Sequence, residues 1–428
     1  MSRVVIVGGG WSGCAAAIAA RQAGVEQVVL LERTDSLLGT GLVGGIMRNN
    51  GRYTAAEEMI ALGGGALFEV CDANLCHRNL DFPGHKHASM YDVRRIEHAV
   101  RDRVLAAGVE VWLQARVNGV TRRNGSIAAV TLENSQSIAG DVFIDATGSC
   151  GSQSFCTEYG NGCVMCVMRC PTFGPRTSLT GLTGIVERQG RKPDGSVGAM
   201  SGACELAKDS IAPEVVTELE ARGVLVLPLP PTVVDDKKLA AKCCQQYALD
   251  EYARNLVLLH NGRVKLMSPY VPLEHLRQVR GLENAHYNDP YAGSVGNSMR
   301  YAALAARDDR MRVQGGADNL LCGGEKAGLM VGHTEAIVTG TLAGYNAACT
   351  AAGRALLSLP NELAVGDMIT YVRERMDTAE GMAEKYTFSG AGYFKRMQRL
   401  GLYTTDHAIV DQRVRRADLK GVFSAGVN

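Results

Sequence analysis

The first 32 residues contain the pattern that most restricts the fold of this chain, a strand–turn–helix–strand unit that ends in an acid. Residues 3–7 read RVVIV, a β-branched run typical of a buried parallel strand. Residues 8–13 follow as G-x-G-x-x-G, and residues 14–23 are mostly alanine and other good helix formers. Residues 27–31 give a second apolar strand, and Glu32 comes directly after it. This order predicts a Rossmann-type βαβ unit that binds a dinucleotide.

Each position in this unit has a mechanical role. Gly8 permits the tight turn, Gly10 lets a pyrophosphate approach the backbone, and Gly13 lets the helix pack closely on the strand. The pyrophosphate is expected on the free N–H groups at the start of the helix, where the helix dipole favours anions. Glu32 lies nineteen residues after Gly13, where a carboxylate is expected to accept hydrogen bonds from ribose hydroxyls. The candidate cofactor-binding residues of this unit are Gly8, Gly10, Trp11, Ser12, Gly13, Glu32, Arg33 and Gly39.

Composition and charge place the chain among ordinary globular proteins. It has 428 residues, 46% of them hydrophobic, enough for about two or three domains. Lys+Arg is 45 and Asp+Glu is 44, so no strong field favours nucleic acid or a membrane surface. The sequence shows no secretory leader and no run of about 18 apolar residues. We therefore expect a cytoplasmic protein without a membrane span, whose thirteen cysteines are reduced thiols.

The next part of the chain indicates which dinucleotide is bound. Residues 91–107 have helical spacing, residues 109–132 contain three strand-like stretches, and residues 141–148 form an apolar strand that ends in Ala-Thr-Gly. This layout resembles the FAD-dependent oxidoreductase superfamily of glutathione-reductase-like fold, in which an insertion splits the nucleotide-binding domain. The resemblance implies that Val117 offers backbone atoms to the adenine. It also implies that the dinucleotide is flanked by Ala146, Thr147 and Gly148.

A second glycine-bearing segment lies at residues 318–347. A short strand at 319–322 is followed by Gly323, Gly324 and Glu325, and then by a helix from about residue 333 to 348. Residues 332–347 read G-x-x-E-A-x-x-x-G-x-x-A-G-x-N-A. This closely resembles the closing flavin-binding motif of the glucose-inhibited-division-type tRNA-modifying flavoproteins and of the folate- and FAD-dependent tRNA uridine methyltransferase.

One further segment resembles the methyltransferase, and one segment differs from it. Residues 363–371 (LAVGDMITY) look like the methyltransferase as well. The turn at 322–328 departs from it, since the methyltransferase usually has a shorter, Gly-Gln-containing turn there. The resemblance implies that Gly323, Gly324 and Glu325 lie near the flavin, but it does not carry the substrate across.

Cysteines are concentrated between residues 150 and 170. Cys163, Cys166 and Cys170 have the spacing C-x2-C-x3-C, and a proline follows the last of them. One interpretation is a thiol at the flavin, with Cys166 and Cys170 as candidates made acidic by Arg169 or Arg176. A second is an iron–sulfur cluster whose fourth ligand is Cys156 or Cys150. A third is a set of buried cysteines that act as small hydrophobic side chains.

The sequence as a whole predicts an α/β fold. It has a split Rossmann-like FAD-binding domain at 1–150 and 312–350, and an inserted mixed or antiparallel substrate domain at 151–311 that begins with the cysteine-rich loop 150–176. A helical segment at 351–428 follows. Within the insertion, 180–188 and 224–229 are predicted as strands, 239–259 contains a predicted helix, and 265–272 is predicted as a loop or edge segment.

The leading hypothesis is an FAD-dependent oxidoreductase that acts on a small-molecule substrate, with catalytic candidates Cys166, Cys170 and Arg176. The sequence has no second complete strand–G-x-G-x-x-G–helix unit, so an external electron donor or acceptor is expected to dock directly at the flavin. One alternative is a flavin-dependent RNA uridine methyltransferase that uses methylenetetrahydrofolate, although the neutral charge balance does not favour RNA. Another is a flavin and iron–sulfur electron-transfer protein. The sequence does not indicate the oligomeric state.

Overall fold

A computed structural model describes the fold of most of the chain. The described residues are 2–39, 41–149, 177–191, 195, 199–201, 204–237, 239, 245–267, 271–288, 298–300 and 303–427. None of the helices in these ranges is long and apolar enough to cross a bilayer.

The described elements alternate between strands and helices in the first half of the chain and become helical in the last quarter. The strands are β1 (Arg3–Val7), β2 (Gln27–Leu31), β3 (Ile46–Met47), β4 (Leu75–Phe82), β5 (His85–Tyr91), β6 (Glu110–Trp112), β7 (Val117–Arg123), β8 (Ser126–Leu132), β9 (Ser137–Ala139), β10 (Val142–Asp145), β11 (Arg188–Gln189), β12 (Ala199–Ser201), β13 (Cys204–Leu206), β14 (Val224–Pro228), β15 (Asn255–His260), β16 (Val264–Leu266), β17 (Ser298–Arg300), β18 (Ala303–Leu304) and β19 (Leu320–Cys322). The helices are α1 (Trp11–Gln22), α2 (Gly41–Gly44), α3 (Gly51–Ala61), α4 (Ala66–Ala73), α5 (Ile96–Ala106), α6 (Leu179–Leu182), α7 (Pro213–Arg222), α8 (Asp250–Arg254), α9 (Leu273–Leu276), α10 (His333–Ala351), α11 (Ala364–Arg375), α12 (Ala379–Ala383), α13 (Ala391–Arg399) and α14 (His407–Arg416).

A five-stranded parallel sheet carries the first βαβ unit. Its strand order is β19-β10-β1-β2-β6, and Val4 of β1 lies between Val28 of β2 and Val142 of β10. All five strands are short and mostly apolar, as expected where both faces of a parallel sheet are covered. β19 joins the same sheet after an excursion of more than 170 residues from β10. The predicted split of this domain is confirmed.

Helices α1 and α10 pack against each other through glycine. A Cβ placed on Gly340 would come 2.2 Å from the carbonyl oxygen of Ser12, and one on Gly344 would come 2.1 Å from that of Ala16. Any larger residue at either glycine would force the helices apart, because real Cβ atoms do not approach other atoms so closely. The glycines of the 332–347 motif therefore fix how the two helices sit on the sheet.

The inserted region contains antiparallel sheets. The largest has the order β13-β16-β15-β14 and buries an apolar face that includes Leu206, Leu258 and Leu266. The strand predicted at 224–229 is confirmed as β14. The loop or edge assignment at 265–272 is wrong for its first residues, because β16 pairs with β13 on one side and β15 on the other. The prolines that suggested a loop lie after this strand.

Of two further secondary-structure predictions in the insertion, one is wrong and one is confirmed. Most of 180–188 is not a strand: the Ser178 hydroxyl accepts a hydrogen bond from the Gly181 N–H at 3.1 Å and caps the short helix α6. The range 239–259 does contain a helix, as predicted: α8 is one, whereas Cys243 and Cys244 of the predicted helix lie outside the described residues. The apolar run that follows α8 is strand β15, since a short continuous apolar run suits either structure and sheet pairing decides.

The helix predicted at 91–107 begins five residues later than predicted. Tyr91 ends β5 and contributes to its pairing, so the chain cannot turn helical there. The Asp92 carbonyl accepts the Ile96 N–H at 3.0 Å, which starts α5.

The last quarter of the chain is helical, as predicted. Buried charged side chains attach these helices to the rest of the molecule. The Glu58 carboxylate accepts the N–H groups of Ala364 and Val365, each at 3.0 Å, at the start of α11. Asp367 pairs with Arg396 of α13 at 2.6 Å. Near the end of the chain, Val422–Ser424 forms a 3₁₀ turn.

Candidate cofactor-binding site

The Gly8–Gly13 turn connects β1 to α1 and leaves one open space. Gly8 has φ +107°, and a Cβ there would come 2.3 Å from the Ala146 carbonyl oxygen. A Cβ on Gly13 would come 1.8 Å from the Gly8 carbonyl oxygen, whereas one on Gly10 meets no described atom within 4 Å. The turn and the close packing expected of Gly8 and Gly13 are therefore present. The space beside Gly10 is where the sequence places a pyrophosphate.

The start of α1 has the electrostatics of an anion site. Gly10 is its N-cap, no side chain caps it, and its first turn holds no acidic residue. The N–H groups of this turn have no intrahelical acceptor, and the helix dipole adds partial positive charge. The Ser12 hydroxyl oxygen is buried without a hydrogen-bond partner among the described residues. A Cβ on Gly323 would come 2.5 Å from that oxygen, so Ser12 faces the second glycine segment.

Glu32, the acid that follows β2, is buried and forms a hydrogen bond with the Gly8–Gly13 turn. Glu32 is 7% exposed and accepts the Gly9 N–H at 2.8 Å through Oε2. Its Oε1 accepts the Thr34 N–H at 2.9 Å and the Thr34 hydroxyl at 3.0 Å. An ionised carboxylate has about four acceptor positions, so capacity remains for a ribose hydroxyl. Next to it, Arg33 has a buried Nη1 without a partner among the described residues, and the position above Gly39 is open.

Asp145 holds the Ala-Thr-Gly turn at the end of β10. Its Oδ1 accepts the Thr147 N–H at 3.1 Å and the Thr147 hydroxyl at 2.6 Å. Its Oδ2 accepts the N–H and hydroxyl of Thr180, each at 2.7 Å. Ala146 borders the Gly8 turn, and Gly148 has φ +77° with open space around it. The predicted flanking residues thus lie beside the glycine turn.

Several polar atoms of Val117 and of the second glycine segment are hydrogen-bonded within the protein. The Val117 carbonyl accepts the Thr177 hydroxyl. The Gly323 N–H donates to the Asp145 carbonyl at 3.0 Å, and the Gly324 N–H donates to the Thr339 hydroxyl at 2.8 Å. The Glu325 carboxylate accepts the Ser149 hydroxyl at 2.8 Å. These bonds shape the loop, so its glycine N–H groups do not form a free anion cradle.

The start of α10 lies in the segment 332–347 that resembles a flavin-binding motif, and it forms a second polar centre. The Glu335 side chain is buried, and its Oε1 accepts the Thr387 hydroxyl at 2.7 Å and the Phe388 N–H at 2.8 Å. Arg52 of α3 forms an ion pair with it at 3.2 Å. The Thr334 hydroxyl is fully buried with no partner among the described residues. Arg52 gave no local signal because its partner Glu335 is distant in the chain, and Thr334 gave none because its burial results from tertiary packing.

Aromatic side chains join the two helix starts. Trp11 of α1 stacks on His333 of α10 with ring centroids 5.8 Å apart, and Tyr91 contacts Trp11 edge-on at 5.7 Å. The Tyr91 hydroxyl lies 2.9 Å from His333 Nδ1. Trp11 therefore packs the start of α1 against the start of α10. The two helix starts lie on the same side of the sheet.

The predicted catalytic residues lie outside the described residues. This holds for Cys166, Cys170 and Arg176, and equally for the cluster candidates Cys156 and Cys163. Their roles stay predictions.

The buried cysteines of the described part are not activated thiols. Burial raises the pKa of Cys14 and Cys71 far above the usual range, and raises that of Cys322 to about 12. A protonated thiol is neither a good nucleophile nor a metal ligand. Nor do the described ranges contain a group of three or more His, Cys, Asp or Glu side chains that could hold a metal ion.

Comparison with known proteins agrees with this geometry. Two crystal structures of Aquifex aeolicus GidA share the fold, with TM-scores of 0.68 (form II) and 0.64 (form I). Their sequences are 15% and 14% identical to this chain. Each alignment covers 97% of this chain, and it covers 76% of the form II chain and 78% of the form I chain. A comparison with curated proteins finds no match.

The fold and the site together define an FAD-dependent flavoenzyme. Its family follows from the sequence model described as glucose inhibited division protein A, which matches residues 3–225 and 250–355. That is more than half of the chain, so the protein belongs to the glucose-inhibited division protein A family.

Proposed function

We propose that this protein is a cytoplasmic FAD-dependent oxidoreductase that transfers a hydride or electrons between a small-molecule substrate and the flavin. The observation that carries the proposal is the uncapped start of α1, with open space at Gly10 and a buried acid at Glu32. FAD supplies the redox chemistry when it is bound, and the protein supplies orientation and electrostatics.

Different residues are assigned to different parts of FAD. The diphosphate would bind at the start of α1, next to Gly10 and Ser12, because uncapped N–H groups and a partnerless hydroxyl are donors for an anion. Glu32 would accept ribose hydroxyls. The remaining residues assigned to FAD are Gly8, Trp11, Gly13, Arg33, Gly39, Val117, Ala146, Thr147, Gly148, Gly323, Gly324 and Glu325.

The start of α10 suits the redox end of the cofactor. A reduced flavin accumulates negative charge, and a helix N-terminus favours negative charge. Thr334 adds a buried hydroxyl that could donate there. The single Glu335 carboxylate is paired with Arg52, so it does not cancel this effect. We assign stabilisation of the reduced cofactor to this helix start.

Cys166, Cys170 and Arg176 are proposed to act on the substrate at the flavin, with Arg176 lowering the pKa of a neighbouring thiol. Cys170→Ser and Cys166→Ser are expected to impair turnover with FAD still bound. Full activity in both variants would contradict the thiol role.

A visible spectrum of protein purified without oxygen tests the function as a whole. The expected result is bound flavin that is bleached by a reductant and recovers with a small-molecule acceptor. Colourless protein that does not take up added FAD would contradict the proposal. An added broad shoulder from thiolate-ligated iron would instead favour the flavin and iron–sulfur alternative, with Cys156, Cys163, Cys166 and Cys170 as ligands.

A second candidate is RNA uridine methylation with methylenetetrahydrofolate. Family membership and residues 363–371 favour it, whereas the balance of 45 basic and 44 acidic residues does not. Folate-dependent transfer of a labelled methylene carbon to uridine in RNA would support it. Absence of RNA binding at low salt would count against it, because RNA affinity is strongest there.

A further inference from the structure

A polar cavity lies apart from the cofactor-binding residues, between β11, the segment after β18, and the end of α11. Its volume is about 180 Å³, and its walls include the side chains of Arg188, Arg307 and Arg373. We propose that this cavity binds a small dianion of phosphate type, either free phosphate or the phosphate group of a small metabolite.

The cavity wall is richer in cations than in anions. Its side chains include three arginines and one carboxylate, that of Asp377, which pairs with Arg188 at 2.6 Å. Arg373 pairs with two carboxylates that do not line the wall, Asp309 at 2.7 Å and Glu374 at 3.4 Å, and Arg307 lies 3.5 Å from Asp309. An anion in the cavity would therefore meet three guanidinium groups and a single wall carboxylate.

Arg307 contributes positive charge to the wall rather than free hydrogen-bond donors. Its side chain is 1% exposed, and its guanidinium group donates to the carbonyl groups of Ala327, Asp308 and Ile369. Burial, with repulsion from Arg373 adding to it, lowers the pKa of Arg307 to about 10. The shift has the direction that desolvation of a cation produces, and a nearby anion would favour the charged form.

The cavity also offers hydrogen-bond donors. Arg188 donates through Nη1 to the Met376 carbonyl at 2.9 Å and to Asp377. Its Nε and Nη2 donate to no acceptor within the part of the chain that the structure describes. The Gln314 side chain, also on the wall, can donate from its amide. Guanidinium groups grip phosphate through paired N–H donors, which suits this set.

The size of the cavity limits the ligand. Sites for drug-sized molecules measure roughly 300–1,000 Å³, and this one has about 180 Å³. A phosphate ion or a short phosphate ester fits such a volume, whereas a dinucleotide does not. The cavity is thus distinct in both size and charge from the FAD site proposed above.

The cavity is connected to the loop that follows β19. Arg307 Nε donates to the Ala327 carbonyl at 2.9 Å, at the end of the 3₁₀ turn Gly324–Ala327. Glu187, which precedes Arg188, forms an ion pair with the buried Lys326 of the same turn. An anion held by Arg188 next to the Arg307 charge would therefore stabilise the position of this turn.

Calorimetric titration of the purified full-length protein with inorganic phosphate tests the proposal. The expected result is saturable binding that Arg188→Gln weakens at least tenfold. Arg312→Gln is the matched control, since that arginine is 55% exposed and lies outside the cavity wall. Unchanged affinity in Arg188→Gln, or no saturable binding to wild type, would overturn the proposal. A parallel titration with glycerol 3-phosphate distinguishes the two sources: tighter binding than phosphate indicates a metabolite ester, and weaker binding indicates the free ion.

A second variant separates this site from the cofactor cradle. Gly10→Asp places a carboxylate at the start of α1 and leaves the arginine cavity intact. Phosphate affinity equal to wild type in Gly10→Asp supports the cavity, whether or not the protein binds FAD. Loss of phosphate binding in that variant would show that the anion sits in the cradle, and the proposal would then be wrong.

Discussion

Gly344 of α10 lies against Ala16 of α1 so closely that a Cβ on the glycine would come 2.1 Å from the Ala16 carbonyl oxygen. Gly340 has the same relationship to Ser12 one turn earlier. These contacts explain why two positions of the motif that resembles a flavin-binding motif are glycine. Gly340 and Gly344 allow α1 and α10 to pack closely, and this packing fixes the relative positions of the two helix starts.

Gly344→Ala is expected to destabilise the protein. The added methyl group must displace backbone atoms, and overpacking of this kind costs about 1–3 kcal/mol or more. Gly392→Ala in α13 is the control, because a Cβ there meets no described atom within 4 Å and alanine is the better helix former. Urea unfolding measures both. Equal stability of the Gly344 variant and wild type would contradict the helix contact.

Glu335→Ala is expected to cost about 3–5 kcal/mol of unfolding free energy, since it leaves the Arg52 charge buried without its partner. Glu335 and Arg52 are both buried and pair at 3.2 Å. Glu218→Ala is the comparison: its pair with Arg222 is exposed and should contribute about 0–1 kcal/mol. Similar losses of unfolding free energy in the two variants would contradict the claim that the Glu335–Arg52 pair is a buried ion pair that stabilises the fold.

His85 predicts a pH dependence of stability. Burial lowers its pKa to about 3, from an ordinary value near 6.5. Between these values the unfolded chain binds a proton that the folded protein does not, so this stabilising contribution is complete above pH 6.5 and is lost as the pH falls. The slope is about 1.4 kcal/mol per pH unit for one proton.

The matched variant is His85→Gln, which cannot titrate in this range. The difference in unfolding free energy between wild type and variant should shrink steadily from pH 6.5 to 4.5 and stay constant above pH 7. Other titrating groups cancel in this difference, among them Glu58, whose pKa burial raises. A difference that does not change with pH would mean that His85 has the same pKa in the folded and unfolded protein, and it would contradict the prediction.

Local sequence signals were sufficient for the first βαβ unit and for β14. Residues 3–7 and 27–31 were predicted with their observed bounds, because buried parallel strands read as continuous apolar runs between glycine turns. The same signals failed where pairing decides the outcome. Lys265 lies in β16 opposite Glu205, and nothing near Lys265 in the sequence identifies β13 as its neighbour.

Some residues of the candidate site could likewise be predicted from local sequence and others could not. The roles of Gly8 and Gly13 in the turn follow from their spacing, and the structure shows the close approaches that require glycine. The Arg52–Glu335 pair joins positions 283 residues apart, so no window of sequence could indicate it. The buried hydroxyl of Thr334 was missed for a similar reason, since its environment is created by tertiary packing.

The most direct test of the account is FAD binding by Gly10→Asp and Gly10→Asn. Gly10 has φ −69° and ψ −179°, which suits either residue, and both are favoured helix N-caps, so the folded protein should be at least as stable as wild type. The aspartate charge would stand beside the diphosphate and cost roughly 1–4 kcal/mol of binding free energy, which corresponds to about a fivefold to nearly thousandfold loss of affinity. We predict that FAD affinity measured by flavin fluorescence falls much further in Gly10→Asp than in Gly10→Asn, with both variants folded. Wild-type FAD affinity in Gly10→Asp would contradict the claim that the start of α1 holds the cofactor.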